Sequence, residues 1–241
     1  MKYTPKHLKK SALRLLSGNW FAVITCYFAY SIISYLLSQF VSINSISVKL
    51  SDIANISAYA KPLFFILILS YIFIILLSPF KVGFIRSVIT LQKSGRTYLR
   101  QIFANTENWP SIMLCSFIRT SLVAFVSAYP FYSVLTTNNI SGIVLAVWFL
   151  LLVVIKVEFA FLDFVLADNN ISAVKAIIQN RRLLKKHRWH IINLTVSFIP
   201  WAVLCAATLG IFSFLLEIYY FSAVTVLYTM IKNENSLDIT L

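Results

Sequence analysis

Long apolar runs separated by short polar segments dominate the sequence. Four of them are about as long as a helix that crosses a membrane, which needs about 20 mostly apolar residues. They are Trp20–Phe40, Pro62–Phe80, Ile112–Phe131 and Ile143–Leu162. Each run therefore predicts one membrane-spanning helix.

The last apolar stretch is longer than one membrane crossing. It covers the 41 residues of Ile191–Ile231, which as a single helix would measure about 60 Å, roughly twice the hydrocarbon thickness. The stretch must break, and we expect the turn at Thr208–Gly210, because glycine accepts the positive φ of a helix C-cap. The break predicts spans at Ile191–Leu209 and Ile211–Ile231, six in all. One span followed by an interfacial helix is the alternative.

The N-terminal segment has the pattern of an amphipathic helix. Thr4 and Pro5 are typical of an N-cap and a first helical position, and Gly18 is typical of a stop. The apolar face carries Leu8, Ala12, Leu15 and Leu16, and the opposite face carries Lys6, Lys9, Lys10 and Arg14. This pattern predicts a helix that lies on a membrane surface with its cations near anionic headgroups.

Two later segments repeat this pattern. Tyr98–Phe103 is a short version, and Asp168 or Asn170 is expected to cap a longer helix. That helix would place Ile171, Val174, Ile177 and Ile178 on one side and Lys175, Arg181, Arg182 and Lys185 elsewhere. The candidate contacts to anionic lipid are therefore Lys6, Lys9, Lys10, Arg14, Arg181, Arg182, Lys185 and Lys186.

The number and distribution of charged residues support this interpretation. Only 12% of the residues are charged, against about 25% in a typical soluble domain, and the net charge is +13. Five cations precede the first run, five lie between the second and third, and six lie between the fourth and fifth, whereas the alternate loops hold only Lys49 and Lys61. The positive-inside rule then places both termini in the cytoplasm. Cations so placed meet lipid headgroups, so nucleic acid is not an expected partner.

The predicted fold is all-α: a polytopic membrane helix bundle of about six transmembrane helices with amphipathic cytoplasmic helices. Residues 1–19 form the N-terminal interfacial helix, residues 20–231 the membrane domain, and residues 232–241 a short cytoplasmic tail. The cytoplasmic segments, about 30 residues each, are shorter than domains that usually fold alone.

Catalytic and metal-binding patterns do not stand out in the sequence. It has no Walker-type glycine loop, no Gly-x-Ser-x-Gly elbow and no His-Glu-x-x-His motif. His187 and His190 are three residues apart but have no carboxylate or cysteine partner nearby, and the three cysteines are isolated. We therefore expect no enzyme activity, no cofactor and no metal site.

Three charges inside the predicted spans are the best functional candidates, because a charge at the bilayer centre costs several kcal/mol unless it is paired or hydrated. They are Arg119, Glu158 and Glu217. Arg119 and Glu158 lie near the same end of two spans joined by a short loop, which predicts an ion pair between them. Such a pair fixes helix register or belongs to an ion pathway. Glu217 has no obvious partner and faces either a hydrated cavity or the interface.

Several motifs together resemble a known family. They are Ser17-Gly18-Asn19-Trp20, Leu166-Ala167-Asp168-Asn169, the basic run Arg181–Arg188, Ser197-Phe198-Ile199-Pro200-Trp201, Thr208-Leu209-Gly210-Ile211, Tyr219-Tyr220 and Leu227-Tyr228. The chain resembles the bacterial integral membrane proteins of domain-of-unknown-function family 975 over nearly its whole length. Pro200 stands where the family usually has glycine, and Ile218 where it tends to have proline. The resemblance implies a multi-pass bacterial membrane protein without implying an activity.

Two functions remain open from the sequence. The first is a non-enzymatic accessory or envelope-associated protein of the bacterial cytoplasmic membrane, which binds anionic lipid or other membrane proteins through its basic helices. The second is a small transporter or channel-like protein that uses the charges within its spans.

Overall fold

The computed structural model describes residues 3–43, 60–104, 106–137, 142–208, 210 and 212–237. Within these residues the regular elements are helical, so the predicted all-α fold is confirmed. The α-helices are α1 (Pro5–Leu16), α2 (Trp20–Ile43), α3 (Ala60–Ser94), α4 (Trp109–Thr137), α5 (Gly142–Glu158), α6 (Leu162–Asp168), α7 (Ala173–Leu184), α8 (Arg188–Val196), α9 (Ile199–Ala207) and α10 (Ser213–Leu237), with 3₁₀ turns at Leu99–Ile102 and Thr106–Asn108.

Several of these helices are long and apolar enough to cross a membrane. In the described part of the chain the candidate spans are Leu67–Ser94, Trp109–Pro130, Gly142–Asp168, Arg188–Ala207 and Ser213–Glu234. Helices α1 and α2, which meet at a 94° bend, add one further candidate if they are counted together. The chain is therefore a multi-pass membrane helix bundle with five or six candidate spans. The segment between the first two predicted spans, which contains Lys49 and Lys61, falls largely outside the described residues.

The expected turn in the last apolar stretch is present. Helix α9 ends at Ala207, and Gly210 adopts a φ of +77°. The Gly210 N–H donates to the Cys205 carbonyl at 2.8 Å, which closes the end of α9 before α10 begins at Ser213. By length and composition both halves of the stretch are full candidate spans.

Helix α3 is longer than predicted, because it continues through Pro79 and Lys81 to Ser94. Proline lacks the N–H that would bond the carbonyl four residues earlier. Here the Ser78 hydroxyl donates to that Ile75 carbonyl at 2.7 Å, so the acceptor is satisfied and the helix goes on. Lys81 does not end the helix either, because it pairs with a carboxylate of a neighbouring helix.

Buried side chains are concentrated at one end of the bundle, which we call the charged end. It comprises α1, α6, α7, the N-terminal parts of α2, α4 and α8, the C-terminal part of α3, and α10 from Ile218 onward. Helices α5 and α9, in contrast, have no buried residue among those described. Only the charged end has the dense packing of a folded core, and the outer halves of the helices expose apolar side chains, as lipid-facing helices do.

Helix α1 begins after Thr4, with Pro5 in its first turn, and ends before Gly18, whose φ is +81°, as predicted. Its apolar residues Leu8, Ala12 and Leu16 are fully buried, and the helix packs mainly against α10. The face that the pattern assigns to lipid is therefore covered by protein. The position of α1 relative to a membrane surface stays a prediction.

The predicted start of α7 is wrong. Its N-cap is Ser172 rather than Asp168 or Asn170, and Ala173, Ala176 and Asn180 face the core. Val174 and Ile178, which the sequence pattern places on one side of this helix, are 66% and 48% exposed. Small residues allow α7 to approach α4 and α6 closely, which leaves its larger apolar side chains outside.

Candidate functional site

The predicted pair between Arg119 and Glu158 does not form. Arg119 of α4 instead holds Asp163 of α6, with Nη1 at 3.0 and 2.9 Å from the two carboxylate oxygens. Lys81 of α3 adds a second contact to the same carboxylate at 2.9 Å. The Asp163 side chain is only 13% exposed. This group, Arg119, Asp163 and Lys81, joins three helices around one buried carboxylate.

Glu158 has a different partner. Its carboxylate lies 2.8 Å from the Arg188 guanidinium of α8, in a more exposed pair. Directly after Glu158 the helix breaks, and the buried Asn180 side chain of α7 fills the break. Asn180 donates to the Glu158 carbonyl at 2.7 Å and accepts from the Phe161 N–H at 3.2 Å. Asn180 thus satisfies both backbone groups released between α5 and α6.

Glu217, the third candidate charge, also has a partner. It accepts a hydrogen bond from the Tyr27 hydroxyl of α2 at 2.6 Å. Tyr27 is buried, and its ring packs edge-on against Phe84 at 5.6 Å. This contact could not be predicted from local sequence pattern, because Tyr27 and Glu217 are 190 residues apart.

The centre of the charged end is Asp168, the last residue of α6, whose side chain is 1% exposed. Lys93 of α3 contacts one carboxylate oxygen, and Lys232 of α10 contacts the other. The Tyr228 hydroxyl also donates to the carboxylate, at 3.2 Å. In the sequence Asp168 appeared as a helix cap and Lys232 as a residue of the tail, but α10 continues to Leu237 and carries Lys232 into this cluster.

Arg86 lies next to the Asp168 cluster and donates to backbone carbonyls. Its Nε bonds Ala167 at 2.9 Å, Nη1 bonds Ala104 at 2.9 Å, and Nη2 bonds Leu166 at 3.5 Å. The guanidinium therefore ties the end of α6 to the segment that precedes α4. It makes no ion pair within the described residues.

A second polar cluster joins the N-terminus to α10. The Tyr3 hydroxyl donates to Glu234, and the Tyr3 ring lies 5.4 Å from the ring of His187 and 4.9 Å from that of His190. Burial and the hydrogen bond to Glu234 raise the pKa of Tyr3 to about 12. Burial also lowers the pKa of His187, whose Nδ1 is buried without a partner among the described atoms.

Most predicted lipid contacts lie on the surface. Lys6, Lys10, Arg14, Arg181, Arg182, Lys185 and Lys186 are exposed. None of them forms an ion pair within the described residues. Lys9 differs, because its ammonium donates to the Ser197 carbonyl at 2.5 Å and lies 4.4 Å from the centre of the Phe198 ring. No cluster of metal-ligating side chains is found among the described residues.

Together the fold and its ion pairs define a class: a multi-pass α-helical membrane protein with a packed, charged end. The chain belongs to DUF975, a family described as proteins of unknown function, whose model matches residues 1–235. No curated protein and no solved structure matches the chain.

Proposed function

We propose that this protein is a non-enzymatic component of the bacterial cytoplasmic membrane, with both termini in the cytoplasm, whose charged end binds anionic lipid headgroups. Other membrane proteins are its second class of partner. The observation that carries the proposal is the set of exposed cations on α1 and α7 that have no carboxylate partner among the described residues. Near a membrane surface each such cation contributes about 1 kcal/mol of attraction to anionic lipid.

Exposed apolar side chains accompany these cations. Val174 and Ile178 stand on α7 beside Arg181 and Arg182, and Trp189 follows at 67% exposure. The 3₁₀ turn at 99–102 is similar, because Tyr98, Leu99 and Phe103 are exposed near Arg96 and Arg100. Apolar and cationic side chains mixed on one surface favour the headgroup region over bulk water.

The intramembrane charges support a structural role more than transport. Arg119, Glu158 and Glu217 each have a partner, and Asp163 is closed off by two cations. An ion pathway needs groups that can exchange partners or protons along a hydrated route. These contacts instead join neighbouring helices.

The test compares lipid retention by the purified protein. We expect native mass spectrometry to show more bound phosphatidylglycerol than phosphatidylcholine, and the preference to fall several-fold when Arg181, Arg182, Lys185 and Lys186 are replaced by glutamine. A Lys156→Gln variant, which removes an exposed cation of α5, is the matched control. Equal retention of the two lipids by the unmodified protein would refute the proposal. Ion flux through reconstituted vesicles would support transport instead.

A further inference from the structure

A pocket of about 670 Å³ opens at the charged end, beside Asp168. It is an open depression rather than an enclosed cavity, so it can receive part of a ligand from outside the protein. One wall is the C-terminal part of α3, and the other is the end of α6 with the residues that follow it. The polar residues that line it are Arg86, Thr90, Lys93, Asp168, Asn169 and Asn170.

The walls of this pocket carry an excess of positive charge. The one carboxylate, Asp168, is already bound by Lys93, Lys232 and Tyr228. Arg86 donates to three neutral carbonyls, so its charge is not cancelled by direct contact with an acid. The lining therefore holds two cations, Arg86 and Lys93, and one carboxylate, which Lys232 also contacts from outside the lining. The surplus of positive charge favours an anion.

Hydrogen-bond donors also remain in the pocket. A guanidinium has five N–H groups and an ammonium has three. Arg86 uses three of its five on carbonyls, and Lys93 contacts Asp168 while its side chain stays 58% exposed. A phosphate group offers several acceptor oxygens and binds arginine and lysine together.

Lys93 and Lys232 duplicate each other's structural role. Lys232 supplies a cation to the buried Asp168 even without Lys93. Its side chain is 34% exposed, against 58% for Lys93. Lys93, the more exposed of the two, also lines the pocket, so it can contact a ligand while Lys232 stays paired with Asp168.

From these observations we infer that the pocket binds a phosphate group, with Lys93 and Arg86 as its cationic contacts. The phosphate belongs either to a lipid headgroup or to a free phosphorylated compound. The inference deepens the proposed function, because it assigns one specific site within a surface that attracts anions generally. It rests on the proposed function where the phosphate is that of a lipid headgroup.

The experiment measures binding to the full-length protein in neutral detergent. Two probes are used, inorganic phosphate and a soluble short-chain phosphatidylglycerol, and both affinity and thermal midpoint are recorded. Lys93→Gln is expected to weaken binding about tenfold, the loss of one charge-assisted contact. Lys93→Arg is expected to restore it. Lys156→Gln, which removes an exposed cation of α5 outside the pocket, is expected to leave binding unchanged.

The outcomes separate the two sources. Lys93-dependent binding of both probes, or of phosphatidylglycerol alone, supports the site with a headgroup as ligand. Lys93-dependent binding of inorganic phosphate alone supports it with a free phosphorylated compound. Affinities equal in Lys93→Gln and the unmodified protein for both probes overturn the inference. The proposed function does not fail with this inference, because it depends on the α7 cations. If instead the proposed function fails, binding of inorganic phosphate still tests the pocket.

Discussion

Acidic residues are much rarer than basic ones in this chain, so each acid at the charged end holds more of the ion pairs. The chain has 8 acids and 21 lysines and arginines. Asp163 and Asp168 each bind two cations, and Glu158 binds one. Loss of one aspartate therefore leaves two cations without their counter-charge, whereas loss of one cation leaves the aspartate with another partner.

The contact between Arg119 and Asp163 should behave as a coupled pair. Removing one partner of a buried ion pair costs about 3–5 kcal/mol, because the other charge stays buried. We expect Asp163→Leu to lower the thermal midpoint in detergent more than Arg119→Leu does, since Lys81 remains beside Asp163 in the latter. The double variant should lose less than the sum of the two.

The exposed pair of Glu158 and Arg188 provides the control cycle. Their side chains are 31% and 55% exposed, and exposed pairs contribute about 0–1 kcal/mol. The coupling free energy between Glu158 and Arg188 in this cycle should be small. Additive losses at Arg119 and Asp163 would show that their contact does not stabilise the fold.

His187 makes stability depend on pH. Its pKa is lowered from 6.5, chiefly by burial, with His190 and Lys186 acting in the same direction and Glu234 against them. Below pH 6.5 the unfolded chain takes up a proton that the folded chain resists, so stability should fall as the pH drops from 6.5 toward the lower folded value.

Thermal midpoints between pH 7.5 and about 5 would measure this slope. His187→Asn should flatten it. His7→Asn, which removes an exposed imidazole on α1, controls for the change of residue type. The same flattening in both variants would mean that burial of His187 is not the cause.

At the scale of elements, the sequence predicted well what depends on length and on local backbone conformation. Apolar run length located the candidate spans, and glycine marked the ends at Gly18 and Gly210. The predicted ion pair between Arg119 and Glu158 was wrong because of a tertiary contact. The break after Glu158, which Asn180 stabilises, resets the helical phase, so that Asp163 meets Arg119 and Glu158 meets Arg188. The predicted start of α7 failed because Asp168 ends α6 and holds Lys93 and Lys232, so that Ser172 precedes the first turn of α7 instead.

Gly83 shows how closely two elements approach. It lies in α3, and a Cβ there would come within 2.2 Å of the Ile102 carbonyl oxygen in the 3₁₀ turn. That oxygen is backbone and cannot rotate aside, so Gly83→Ala should separate the turn from α3. We expect a loss of about 1–3 kcal/mol, or failure to pack.

Gly142→Ala is the matched comparison, because a Cβ at Gly142 meets nothing within 4 Å. It should leave the thermal midpoint nearly unchanged. Equal midpoints for both alanine variants would mean that the approach at Gly83 is looser than described.

At the scale of the whole molecule, the charged end and the turn at Gly210 should lie on opposite sides of the membrane. Ser94 and Thr208 are exposed residues at these two levels. In a background with Cys26, Cys115 and Cys205 replaced by alanine, we expect an impermeant thiol reagent to label Thr208→Cys from outside intact cells. Ser94→Cys should be labelled only after the membrane is permeabilised.

Labelling of Ser94→Cys in intact cells would reverse the predicted orientation. Protection of Thr208→Cys in intact cells, with labelling after permeabilisation, would place the turn on the same side as the charged end and remove the two-span interpretation of the last apolar stretch.

The contact between α1 and α10 has a consequence for how the chain is made. Tyr3 and Glu234 are 231 residues apart, and translation at about 5–20 residues per second separates their synthesis by roughly 10–50 s. Throughout that interval the nascent α1 has no α10 to cover Leu8, Ala12 and Leu16. The bilayer interface is the nearest apolar environment that can cover this face of the basic helix. We therefore expect the surface-lying helix that the sequence predicts to be a stage of biogenesis, with the packed helix as its end point.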